Sequence, residues 1–131
     1  MKILVGYDGS DSAKKALELA KQHARAFNAE TIYVINCLEG DPQTQIKNLE
    51  ESEQHIAFAR VFLNEEGIHC ETKMSTENIG PGEEIVDFAD QNGVNEIIIG
   101  VVKTSKVGKL LFGSTAQYVI LNASCPVVTV R

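Results

Sequence analysis

Short apolar runs and amphipathic stretches alternate from one end of the chain to the other, and this alternation constrains the fold more than any other feature. Lys2 to Tyr7 (KILVGY) reads as a buried strand that runs into the turn D-G-S. Ala13, Ala16, Leu17, Ala20, Ala24 and Phe27 then recur at the spacing of one helix face, with Ser10, Asp11 or Ser12 available as the cap. Thr31 to Cys37 (TIYVINC) is a second strand, rich in β-branched residues. Asp41 and Pro42 suit the cap and first position of a helix whose face is Ile46, Leu49, Ile56, Ala59 and Leu63 and which Gly67 stops. Its first half, polar from Glu50 to Gln54, has the weaker pattern.

Ile68 to Met74 reads as a third strand, and Pro81 with Glu83 and Glu84 opens a helix that turns Ile85, Phe88 and Ala89 inward before Gly93 closes it. Glu96 to Gly100 (EIIIG) is a fourth strand, apolar on both faces and therefore central, because parallel strands covered by helices do not alternate. Phe112, Ala116, Val119 and Ala123 mark a last helix, and Pro126 to Val130 (PVVTV) a fifth strand. Strands that alternate with helices pair in parallel through crossovers, so the expected fold is α/β, a three-layer sandwich around a five-stranded parallel sheet. With no repeat or linker, its 131 residues form one expected domain, 1–131.

A formal net charge of −6 opposes nonspecific attraction to nucleic acid or to an anionic membrane. No apolar run approaches a membrane span, and Asp8 interrupts the first one before a signal sequence could form, so a cytoplasmic location is expected. Cys37, Cys70 and Cys125 are far apart and form no C-x-x-C pair, which predicts three buried, reduced thiols. His23, His55 and His69 have no metal-ligand spacing, and no nucleophile elbow, Walker A motif or G-x-G-x-x-G is present. The residues therefore predict no catalytic or metal site.

Ligands of open α/β sheets bind beyond the carboxyl ends of the strands, where strand order reverses. Two segments compete for that place. One is YDGSDS, whose Asp8 follows the first strand and offers a carboxylate to a ribose hydroxyl or base amino group, or serves only its own turn. The other is GVVKTSKVGKLLFGST, residues 100–115, where Gly113 and Ser114 begin a helix and Lys103, Lys106 and Lys109 supply positive charge. Here the plainer alternative is that Ser114 is an N-cap and the lysines a solvated face.

The stretches KILVGYDGS, GPGEEI, EIIIG, LLFGS and ASCPVVTVR together resemble the universal stress protein family over essentially the whole length. The resemblance implies strand order 3-2-1-4-5 and a Rossmann-like sheet of the adenine nucleotide alpha hydrolase type; PVVTV, apolar and unpaired at a sheet edge, invites another copy of itself, so a homodimer through strand 126–130 is expected. The family's ATP-binding members carry G-x2-G-x9-G-[S/T], which Gly100, Gly113 and Ser114 match in spacing while Lys103 replaces the second glycine. The same resemblance implies that Asp8 touches the nucleoside, that Cys37 offers backbone groups to the base, and that Thr115 continues the phosphate contact. ATP or AMP is the implied ligand. A side chain at residue 103 costs about 1 kcal/mol or more if the loop needs positive φ, whereas an ammonium on a phosphate contributes roughly 1.5 to 3 kcal/mol. The open alternatives are a partner-binding module whose crevice Lys103 blocks, and a slow ATPase.

Overall fold

The computed structural model describes residues 1–38, 41–75, 79–101 and 113–131. Lys103, Lys106, Lys109 and Phe112 thus lie outside the described residues. Among the described residues nine elements alternate: β1 (Lys2–Gly6), α1 (Asp11–Phe27), β2 (Thr31–Cys37), α2 (Pro42–Glu65), β3 (Cys70–Ser75), α3 (Pro81–Asn92), β4 (Glu96–Gly100), α4 (Ser114–Asn122) and β5 (Val127–Val130). The five strands form one sheet in the order β3-β2-β1-β4-β5, every pair parallel. Both the architecture and the strand order agree with the sequence reading.

Apolar residues on both faces of β1, β2 and β4 make the sheet the middle layer. Ile3, Val5, Val34 and Ile98 meet Ala16, Leu17 and Ala20 of α1 and Ile56, Ala59 and Leu63 of α2 on one face. Leu4, Ile35, Ile97 and Ile99 meet Ile85 and Ala89 of α3 and Ala116 and Val119 of α4 on the other. Each such fully buried aliphatic side chain contributes about 1.5 to 3 kcal/mol. β4 is central, as its sequence predicts.

Several boundaries and faces differ from the sequence reading for identifiable reasons. β3 starts at Cys70 and not at Ile68, because the Ile68 amide bonds the Leu63 carbonyl and belongs to the exit of α2. β1 ends one residue early at Gly6 and β5 begins one residue late at Val127. Phe27, expected on the buried face of α1, is 57% exposed in the last turn, where Asn28 takes a left-handed conformation and reverses the chain. Ile46 and Leu49 are also exposed. The 24 residues of α2 span about 36 Å, well beyond a strand of five to seven residues, so its first half overhangs the sheet. The three cysteines form no disulfide with one another and are only half-buried, not fully buried as expected.

Candidate functional site

β1 continues through β2 to β3 on one side, and β4 leads to β5 on the other, so strand order reverses between β1 and β4. These two strands are direct neighbours, with Val5 opposite Ile98 and Gly6 opposite Ile99. A crevice of about 220 Å³ opens beyond their carboxyl ends. Of the residues singled out in the sequence, Asp8, Cys37, Gly100, Gly113 and Thr115 line it. Ser114 is not among its lining residues, and Lys103 is outside the described residues.

The turn after β1 is built by its own polar groups. The Ser10 amide donates to Asp8 Oδ1 at 2.9 Å, and Gly9, at φ 81°, supplies the left-handed step. Ser10 then caps α1 by accepting from the Ala13 amide through Oγ at 3.2 Å, with the Ser12 hydroxyl 3.3 Å away. One oxygen of Asp8 is therefore used within its turn, while the residue itself remains exposed at the crevice. The turn role and a ligand role are compatible.

Gly100 and Gly113 are both crevice glycines, but for different physical reasons. A Cβ on Gly100 would stand 2.5 Å from the Ser12 carbonyl carbon and 2.7 Å from the Ala13 nitrogen, so only glycine lets the first turn of α1 close on the end of β4. A Cβ on Gly113 would meet no atom of the described residues within 4 Å, and its φ of −56° suits any residue. Gly113 is itself the N-cap of α4, with no side-chain cap bond, which corrects the alternative that Ser114 caps this helix. Ser114 is the exposed first helical residue. The opening amides of α4 have no intrahelical acceptors, and the helix dipole adds partial positive charge there.

Sequence reasoning missed the walls. Ile35, Ile85, Ile99, Ala13 and Ala116 make the crevice largely apolar, and Pro81 brings the start of α3 to its rim. The signal was present, since a Gly-Pro-Gly helix start after the third strand must lie at the carboxyl end of the sheet. Cys37 Sγ faces the Pro81 carbonyl at 3.8 Å, tying the end of β2 to α3. Behind Asp8, the buried Tyr7 hydroxyl has no hydrogen-bond partner among the described residues. Burial first, and the Asp8 charge second, raise its pKa above the ordinary tyrosine value. Asp8 is the one charged side chain among the described lining residues. Among the described residues no group of three or more His, Cys, Asp or Glu could hold a metal ion, and no helix is long and apolar enough to cross a membrane.

Residues 1–131 match the Universal stress protein family. A universal stress protein of Methanocaldococcus jannaschii is 32% identical, the match covering 99% of this chain and 81% of that one. The structure of a universal stress protein from Archaeoglobus fulgidus superposes with a TM-score of 0.88 at 35% identity, covering 100% of this chain and 98% of that one. A structure from the same organism, solved in complex with dAMP, gives 0.82 at 31% identity, with the same coverage.

Proposed function

The chain belongs to the universal stress protein family, and from that membership we propose that it binds an adenine nucleotide, ATP or AMP, in the crevice between β1 and β4. In this reading it acts as a regulatory module of a stress response and not as a fast catalyst. The observation that carries the proposal is the convergence of Asp8, Gly100, Gly113 and Thr115, distant in sequence, on one crevice at the reversal point of the sheet. The dAMP complex of the related Archaeoglobus fulgidus protein supports the ligand class.

The chemistry follows from the walls. Apolar Ile35, Ile85 and Ile99 suit the faces of a nucleoside, and the second carboxylate oxygen of Asp8 accepts from a ribose hydroxyl. Phosphate oxygens meet the opening amides of α4 at Gly113 to Thr115, Ser114 adding its hydroxyl from the first helical position. Cys37 presents main-chain groups to the base, and Lys103 pairs its ammonium with a phosphate.

Calorimetric titration with ATP, ADP and AMP tests the proposal. Saturable heat is expected, with binding weakened about tenfold in Asp8→Ala. No heat and no thermal shift at millimolar nucleotide would remove it. The lysine in the motif favours a second reading, a partner-binding module with a blocked crevice. Binding that appears in Lys103→Gly, with none in the parent, would select that reading. Any slow ATPase activity belonging to the crevice is lost in Asp8→Ala or Ser114→Ala; phosphate release that neither substitution reduces is contamination.

A further inference from the structure

The long helix α2 overhangs the sheet, and one side chain from its middle reaches the turn that carries Asp8. The imidazole of His55 occupies the space a side chain on Gly9 would take. A Cβ built there would stand 2.2 Å from His55 Cε1 and 2.3 Å from Nδ1. Glycine at residue 9 thus answers two separate demands, the positive φ of the turn and the ring lying against it.

The ring is held from several sides. Tyr7, one residue before Asp8, meets it edge-on with centroids 6.3 Å apart, and Phe58 stacks on Tyr7 at 6.4 Å. Glu51, one helical turn earlier, places Oε1 3.5 Å from His55 Nε2. Ser52 and Ile56, on either side of His55 in α2, are buried and anchor this part of the helix to the core. A packed ring over a turn of three small or polar residues removes conformations that the hydrogen bond from the Ser10 amide to Asp8 would not exclude alone.

We propose that His55 is a positioning residue, whose ring pins the Asp8-Gly9-Ser10 turn in the conformation that presents Asp8 to the crevice. The inference rests on the nucleotide reading for its functional consequence, but its structural part stands without a ligand. Binding then draws on α2 as well as on the helices that line the crevice.

The test follows amide hydrogen exchange at Ser10 in the ligand-free protein and AMP affinity, in the parent, His55→Ala and His55→Phe. Removing the ring should speed Ser10 exchange about tenfold and weaken AMP binding about fivefold, and phenylalanine, which restores a ring over Gly9, should return both toward the parent. His55→Gln takes the same measurements if the alanine variant does not unfold cooperatively. Unchanged Ser10 exchange in the ring-deleted variant overturns the proposal, and so does an equal loss in the phenylalanine variant. If the parent binds no nucleotide, the functional reading fails, and the exchange data alone decide whether His55 holds the turn.

Discussion

Gly100 and Gly113, the two described glycines of the G-x2-G-x9-G-[S/T] spacing, separate a packing demand from one that a bound ligand would make. Gly100→Ala forces a methyl to 2.5 Å from main-chain atoms of Ser12, so α1 must shift from the end of β4 at a cost of about 1 to 3 kcal/mol. A fall in melting temperature of about 5 °C, measured by calorimetry, is expected, together with weaker nucleotide binding as the Asp8 turn moves. Gly113→Ala meets none of the described residues within 4 Å, at an ordinary φ, and should change stability by no more than about 0.5 kcal/mol. Any loss of nucleotide affinity in that variant then measures how closely the ligand approaches residue 113. Motif spacing made both glycines legible in the sequence, but not this difference, because the partner of Gly100 is a helix turn almost ninety residues earlier. Cysteine burial is not legible in the sequence for a related reason: Cys70 starts the edge strand β3 and Cys125 just precedes the edge strand β5, and both are half-buried. Desolvation still raises the Cys70 thiol to about 11, with Arg60 opposing and Glu71 adding to the shift. A thiol whose folded pKa lies above its unfolded value favours the native state most below the unfolded value, and that contribution fades as pH climbs toward 11. Urea midpoints should therefore fall between about pH 9 and 11, and Cys70→Ser should flatten the decline; an identical slope in the variant contradicts the assignment.

At the scale of elements, the strands were the readable part, since β1, β2 and β4 are continuous apolar runs and need covering on both faces. Helix caps were readable too. Ser10 and Asp41 each accept from the amide three residues on, and the Thr44 amide is the main cause that lowers the Asp41 pKa below its ordinary value. Ser10→Ala should cost about 1 kcal/mol in chemical denaturation, and Ser10→Gly only a few tenths. The inward face of α2 was not readable in full, because hydrophobic spacing shows which side of a helix is apolar but not whether a sheet lies beneath it. Ile46 fits the pattern and is 74% exposed; Ile56 fits it and is buried. Ile46→Ser is accordingly expected to leave stability within about 0.5 kcal/mol, whereas Ile56→Ala should lose about 2 to 5 kcal/mol. Comparable losses in the two variants would mean that the first half of α2 packs on something that the single chain does not contain.

For the whole molecule, the two borders of the sheet are chemically unlike, and the contrast predicts which one meets a second copy. β3 carries exposed Glu71 and Lys73, Arg60 bonds Thr72 beside them, and Lys73 lies over the Phe88 ring, so charge and side-chain cover oppose further pairing there. β5 is Val-Val-Thr-Val, its valines half-exposed, and Leu121 of the adjoining α4 is 73% exposed. The carbonyls of Pro126 and Val130 are engaged by β4, so by alternation Val127 and Thr129 turn their amides away from the sheet. Two β5 strands pairing through those groups would form a closed, two-fold interface, which satisfies both edges at once and leaves none for further growth. Light scattering at tens of micromolar should accordingly give the mass of a dimer. Thr129→Pro deletes an outward amide that β4 does not use, and is expected to yield a folded monomer with the crevice between β1 and β4 intact. Lys73→Glu, at the opposite border, should remain dimeric. A monomeric parent, or a proline variant that stays dimeric, would show that β5 is not the contact and that the apolar edge is protected in some other way.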